Sequence, residues 1–300
     1  MFRSSSSIIL SGTVLRTDRS VIDIDVKLGF HLSISKGFEH AFMEVKRLGC
    51  ECVQIFVKNP RSWNKKSWSE EEIYLFNERF SKIPVFSHLS YLPNLAMGRE
   101  KDLSGFFEEI ELSLTLGIQS IVVHLGSNPD KKDGLEKASS AINRALEFYP
   151  INILLENSSG QGNSIGSNID EISRIFERLK VIDRVKMCLD VAHLFQAGID
   201  IRDKTIWEDF LSSTYEALGN EKIGLIHLND SKTDLGSKID RHWHIGLGKM
   251  GLNTFSHIIN EPTFKDLCAI METPEMGKMD HINMMTARSL LLPLMPHSFS

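Results

Sequence analysis

Nine side chains able to coordinate metal, His88, His124, Glu156, Asp190, His193, His227, Asp240, His242 and Glu272, fall at the carboxyl ends of successive apolar segments. Imidazoles and carboxylates without thiolate suit zinc, manganese or iron, and a carboxylate can bridge two ions. Singly, each residue has a plainer reading. A histidine such as His88 in SHLSYL or His124 in VVHLGS is more often simply hydrogen-bonded, and Asp190 in LDVAH, three residues before His193, is placed to cap a helix. Glu156 is harder to set aside, because Leu154 and Leu155 before it imply burial and a buried carboxylate is costly without a partner. In DRHWH, Asp240, His242 and His244 share one side of an extended segment. Taken together, the set points to a metalloenzyme with more than one ion.

Residues so far apart in sequence meet only if the fold collects strand ends at one face. Short runs rich in apolar and β-branched residues recur at 26–30, 51–57, 83–87, 119–123, 151–155, 185–189, 222–226 and 267–271. Between them lie stripes of helical period. Phe38, Ala41, Phe42, Val45 and Leu48 form one that stops at Gly49, and Leu103, Phe106, Phe107, Ile110 and Leu114 form another that stops at Gly117. A third opens at Asn168, a good N-cap, and carries Ile169, Ile172, Ile175, Phe176 and Leu179. Eight strands alternating with helices over roughly 270 residues predict an α/β chain folded as one (β/α)8 TIM barrel, with the metal site at the C-terminal face of the strands.

That barrel is expected to occupy residues 26–295, with 1–25 as a loose tail. The tail has a serine run at Ser4–Ser7 and only Ile8, Ile9 and Leu10 as an apolar patch, too short for a secretory signal core. A cytoplasmic protein is expected, with an organelle transit peptide as the alternative reading of the tail. At 42% hydrophobic and 24% charged residues the chain can bury a large core, and no segment is apolar for long enough to span a membrane. Cys50, Cys52, Cys188 and Cys268 show no C-x-x-C spacing, and three of them lie in the strand segments and read as small buried hydrophobes, which suits a reducing compartment.

A net charge of -5 argues against a general nucleic-acid binder. Location matters more than the total. Lys58, Arg61, Lys65 and Lys66 follow the second strand, and Lys232, Lys238, Arg241 and Lys249 follow the seventh, with Trp63, Trp68, Tyr91 and Trp243 in loops of the same face. These offer cations for phosphate and rings for stacking; alone, they read better as a solvated loop surface with ordinary lysines.

The motifs GFHLSISKG, KNPRSW, SHLSYLPNL, VHLGS, ENSSGQG, LDVAH, HLNDSK, GSKIDRH and METP occur in this order from Leu28 to Glu272. In order and spacing the chain resembles the endonuclease IV family of apurinic/apyrimidinic endonucleases, zinc-dependent DNA-repair enzymes on a xylose-isomerase-like TIM barrel. The resemblance implies three Zn2+ ions per chain, with Mn2+ as a substitute. His88, His124 and Glu156 hold the first in that reading. Glu156, Asp190, His227 and Glu272 hold the second, with Glu156 bridging, and His193, Asp240 and His242 hold the third. It further implies a monomer that cuts duplex DNA 5′ to an abasic site, leaving a 3′ hydroxyl and a 5′ deoxyribose phosphate, and that trims blocked 3′ ends. Glu156 also positions the attacking water, while Arg61 and Tyr91 enter the duplex at the lesion and Leu92 assists them. The chain departs from the family pattern at Ser158, at Val191 and Ala192, and at Asn128, where the family often has threonine, threonine and cysteine, and histidine. Loss of a hydroxyl at Val191 is expected to affect metal geometry rather than reaction type.

Two other classes compete. A sugar isomerase or epimerase on a similar barrel needs only Glu156, Asp190, His227 and Glu272 around one ion, and leaves His88, His124, His193, Asp240 and His242 without a purpose. A catalytically idle scaffold is expected to have lost a ligand, and none of the nine is missing.

Overall fold

The computed structural model describes residues 26–291. The expected tail at 1–25 and the last four residues of the expected 26–295 domain lie outside the described residues. Eight parallel strands close into a barrel: β1 (Lys27–Leu32), β2 (Cys52–Ile55), β3 (Val85–His88), β4 (Ser120–His124), β5 (Asn152–Glu156), β6 (Val185–Asp190), β7 (Ile223–His227) and β10 (Cys268–Met271). Neighbours around the barrel follow chain order, and β10 closes the ring between β7 and β1. The helices are α1 (Phe38–Leu48), α2 (Glu70–Phe80), α3 (Glu100–Thr115), α4 (Lys131–Phe148), α5 (Ile169–Phe176), α6 (Val191–Ala197), α7 (Lys204–Leu218), α8 (Leu252–Ile259) and α9 (Asp280–Leu290). A short ribbon, β8 (Asp230–Ser231) paired with β9 (His242–Trp243), projects from the connection after β7. No described helix is long and apolar enough to cross a membrane.

The helix boundaries have local causes. Gly49 ends α1 at φ 69, a conformation that costs glycine little, and its amide returns to the last turn. Asn168 caps α5 by accepting from the Glu171 amide, as its side chain predicts. Leu179 is buried but lies beyond α5, because the chain tightens after Phe176 through i→i+3 bonds from Arg178 and Leu179.

Each strand faces two ways. Outward residues such as Phe30, Val53 and Ile55 pack with Phe38, Ala41, Val45 and Leu48 of α1, and Ile153 and Leu155 pack with α4 and α5. Inward, Cys52, Phe86, Val122, Leu154, Cys188, Leu225, Cys268 and Ile270 fill the barrel with an apolar layer. All four cysteines are buried and free, and three of them belong to this layer.

Gly29 supplies the inward position of β1 beside that layer. A Cβ there would lie 1.9 Å from the Cys52 carbonyl oxygen and 2.8 Å from its Sγ. Because the obstacle is a neighbouring strand's backbone, which cannot rotate away, Gly29→Ala is expected to lower unfolding stability by about 3 kcal/mol. Urea denaturation checks this; a midpoint unchanged from wild type would mean that β1 and β2 separate freely.

Candidate metal centre

Alternation along each strand decides what stands above the apolar layer. Two residues on from Gly29, Cys52, Phe86, Val122, Leu154, Cys188, Leu225 and Ile270 come His31, Gln54, His88, His124, Glu156, Asp190, His227 and Glu272. With a side-chain period of two, all eight therefore point into the barrel mouth as a second, polar layer. Five of these residues, His88, His124, Glu156, Asp190 and His227, are the last residue of their strand. The apolar run that marks a strand in sequence thus ends one residue before the strand does.

The expectation that all nine metal-competent residues sit at strand ends needs correction for three of them. His193 is on α6, whose N-cap is Asp190 accepting from the His193 amide at 2.8 Å; with the helix starting directly at the strand end, its first turn returns His193 over the cluster. Asp240 and His242 arrive on the long connection after β7, His242 as the first residue of β9. His244, grouped with them by spacing, turns away: it is buried against Asn283, whose amide lies 3.1 Å from its Nδ1.

Eight of the nine residues meet in three groups whose polar atoms lie within 4.8 Å of one another: His88, His124 and Glu156; Glu156, Asp190, His227 and Glu272; and Asp190, His193 and His242. Asp240 completes the last, its Oδ1 lying 3.2 Å from His193 Nε2 and 3.6 Å from His242 Nε2. Glu156 joins the first two. Its Oε2 faces His88 Nε2 at 3.0 Å and His124 Nε2 at 3.2 Å, and its Oε1 faces His227 Nδ1 at 3.0 Å.

Tautomers follow from the far side of each ring. His88 Nδ1 lies 2.7 Å from the Leu89 carbonyl and His193 Nδ1 lies 2.8 Å from the Asn157 carbonyl. A carbonyl only accepts, so both Nδ1 atoms carry the hydrogen and both Nε2 lone pairs face the cluster. His193 Nε2 then stands 3.4 Å from His242 Nε2, between Asp190 and Asp240. A lone-pair nitrogen this close to a second imidazole nitrogen and to two carboxylates is a place for a cation or a proton. The electrostatics carry the same message. Burial pushes the His193 imidazolium toward deprotonation, yet Asp190 and Asp240 outweigh it and raise its pKa to about 10. Burial would also raise the Glu156 carboxyl, but His124 and His227 hold it well below the usual carboxylate range. Four carboxylates and five imidazoles in one buried mouth form a donor set that fits divalent ions.

Residues between the strands brace the donors. Asn157 donates to the Asp190 carbonyl and accepts from its amide at 2.9 and 2.8 Å. Asn229 donates to Asp190 Oδ2 at 3.0 Å and accepts from the Glu272 amide at 2.6 Å. Sequence reasoning did not single out Asn157, Asn229, His31 or Gln54; for the last two, the signal was their inward register. Asp190 is braced without a hydroxyl at position 191, where Val191 packs into the apolar core. Asn128 lies away from the cluster, donating to Asp133 and the Ala96 carbonyl and accepting from the Asp130 amide.

The cluster opens into a cavity of about 1080 Å³ whose walls include Phe56, Tyr91, Trp68, Arg241 and Trp243. Tyr91 is 62% exposed, and the loops that carry Arg61 and Tyr91 are tied together by the Tyr91 amide donating to the Pro60 carbonyl at 3.2 Å and by the Phe56 ring against Tyr91. Arg61 is exposed at the rim; Leu92 is half-buried and does not line the cavity. Among the basic residues expected on this face, Lys58 is buried and paired with Glu108 at 3.0 Å, which removes it from the surface. Lys232 lies over the Trp243 ring and Lys66 over Trp68.

A family model described as a xylose isomerase-like TIM barrel matches residues 42–290. A probable endonuclease 4 of Chloroflexus aggregans is 37% identical over 279 residues, covering 88% of this chain and 98% of the relative. The crystal structure of endonuclease IV from Thermus thermophilus superposes with a TM-score of 0.77 at 32% identity, covering 88% of this chain and 98% of that one. A D-tagatose 3-epimerase-like protein shares the fold at a TM-score of 0.64 and 16% identity.

Proposed function

This chain belongs to the endonuclease IV family of xylose isomerase-like TIM barrels, and from that membership and the geometry of its metal centre we propose that it is a DNA-repair endonuclease. It hydrolyses the phosphodiester 5′ to an abasic site in duplex DNA, leaving a 3′ hydroxyl and a 5′ deoxyribose phosphate, and also trims blocked 3′ ends. The observation that carries the proposal is the position of Glu156, whose two oxygens face two different sets of donors while a third set stands beside them.

In this reading, three zinc ions are held by His88, His124 and Glu156; by Glu156, Asp190, His227 and Glu272; and by His193, Asp240 and His242, with Asp190 reaching toward the last. Such ions supply positive charge that activates a water for attack on phosphorus and offsets the charge developing on the phosphate oxygens. The chain's own part is positional. Glu156 spans two of the donor groups and orients the attacking water, and no protein nucleophile is required. Asp240, whose side chain is 45% exposed, and His242 form the outer wall of the cluster, on the side open to a phosphate. One chain provides every group named here, so the site needs no partner subunit to complete it, in keeping with a monomer.

Recognition rests on the rim. An abasic nucleotide lacks the stacking and pairing that resist extrusion, so the lesion itself lowers the cost of leaving the helix. Arg61 and Tyr91, whose loops are joined through the Pro60 carbonyl, enter the gap as a unit, and Leu92 assists them. Tyr91→Ala is expected to weaken binding to an abasic duplex about tenfold or more, an aromatic stacking contact of ~1–3 kcal/mol, while the rate at saturating DNA stays near wild type. Fluorescence anisotropy checks it; equal affinity would remove Tyr91 from the interface.

The direct test incubates zinc-loaded protein with a labelled duplex bearing one stable abasic analogue, beside an undamaged control. A single cut 5′ to the analogue is expected. No cut, with zinc content confirmed, would overturn the proposal in favour of a sugar epimerase using Glu156, Asp190, His227 and Glu272 alone. The histidine pair His88 and His124, and the cluster around His193, speak against that alternative, which has no use for them.

A further inference from the structure

Six of the eight inward positions in the upper layer of the barrel are occupied by proposed ligands, and the remaining two, His31 and Gln54, are neighbours on β1 and β2. Gln54 is fully buried at the floor of the metal centre. Its Oε1 lies 2.9 Å from His227 Nε2, and its Nε2 lies 2.7 Å from Glu272 Oε1 and 2.9 Å from His31 Nδ1. The carboxylate only accepts, so the amide nitrogen of Gln54 points to Glu272 and its oxygen must point to His227. An amide oxygen in turn only accepts, so His227 Nε2 carries the hydrogen. The His227 Nδ1 lone pair is thereby directed at Glu156 Oε1 and Glu272 Oε2, 3.0 and 3.2 Å away. One side chain thus fixes the ring orientation of one donor and the carboxylate orientation of another, from a site with no solvent to compete.

We propose that Gln54 is a positioning residue of the metal centre: it sets the tautomer of His227 and aims Glu272, so that the ion-binding group of Glu156, Asp190, His227 and Glu272 is preformed. The proposal rests on the metal-centre reading given above. Outer partners of this kind are worth about ten- to hundredfold in metal affinity, and Gln54 serves two donors at once. The same amide nitrogen lies 2.9 Å from His31 Nδ1, which itself lies 3.2 Å from Glu272 Oε1, so Gln54, His31 and Glu272 form one buried polar group.

The test compares wild type with Gln54→Met, which keeps nearly the same volume without any hydrogen-bonding group. Zinc stoichiometry is read by native mass spectrometry over a series of buffered free-zinc concentrations, alongside the thermal midpoints of the zinc-free proteins. The expected result is the loss of one zinc equivalent from Gln54→Met at free zinc that saturates wild type, with affinity for that ion at least about tenfold weaker and similar zinc-free midpoints. Wild-type zinc affinity in the variant would overturn the proposal, whereas a wild-type protein that binds no zinc would overturn the metal-centre reading as well. Should Gln54→Met fail to fold, nitrogen-15 spectra of zinc-loaded wild type decide. Nδ1 coordination with a protonated Nε2 on His227 supports the assignment, and coordination through Nε2 sinks it.

Discussion

Glu156→Gln is expected to reduce incision of an abasic duplex by at least about a thousandfold while leaving the circular dichroism spectrum unchanged. The substitution keeps the size of the side chain and replaces one carboxylate oxygen with an amide group that cannot accept. Whichever way the amide turns, its NH2 faces either the Nε2 atoms of His88 and His124 or the Nδ1 of His227. One group of donors loses its carboxylate, and removal of one preorganised electrostatic group from a site of this kind typically raises the barrier by ~2.7–4 kcal/mol; ~4 kcal/mol corresponds to roughly a thousandfold in rate. Single-turnover incision at saturating DNA is the measurement. A variant that cuts within tenfold of wild type would remove Glu156 from the bridging position.

Removal of bound metal with a strong chelator is expected to abolish incision and to lower the thermal midpoint. An ion present at a hundred times its dissociation constant stabilises the folded state by ~2.7 kcal/mol, and in a chain of this size each kcal/mol corresponds to about 2–4 °C. Loss of a single ion therefore predicts a drop of about 5–10 °C, and loss of several predicts more. Without ions, four carboxylates and the lone pairs of five imidazoles remain crowded together, His193 and His242 facing each other at 3.4 Å. Scanning calorimetry before and after dialysis against chelator, then after zinc is restored, checks this. A midpoint that does not move would mean that the cluster is held by protons rather than metal.

Much of the barrel was legible in the sequence because its two periods are clean. Eight short apolar runs matched the eight barrel strands to within two residues at either end, and Gly49 and Asn168 marked helix ends by their own conformational preferences. The ribbon of β8 and β9 was not legible: two residues per strand leave no alternation to detect. The site divided in the same way. Six proposed ligands follow from the inward register of their strands, whereas His193, Asp240 and His242 reach the mouth only because α6 and the connection after β7 fold back over it, which no local pattern encodes. His31 and Gln54 share the register of the ligands without announcing a role in the sequence, because glutamine is not a metal ligand and a lone histidine has plainer uses. Lys58 shows the converse failure, since nothing local in KNPRSW announces that Glu108, fifty residues on, takes up its charge.

The apolar plug of Cys52, Phe86, Val122, Leu154, Cys188, Leu225, Cys268 and Ile270 beneath the metal centre closes the barrel from below, so that among the described residues the mouth at the strand ends is its door. Solvent, ions and the reacting strand must all use that door, and none can leave behind another that blocks it. A duplex lying across the mouth would then seal in whatever ions were present when it arrived. Under the proposed function, metal exchange and DNA occupancy would become alternating events at one mouth, and metal would leave in the intervals between encounters.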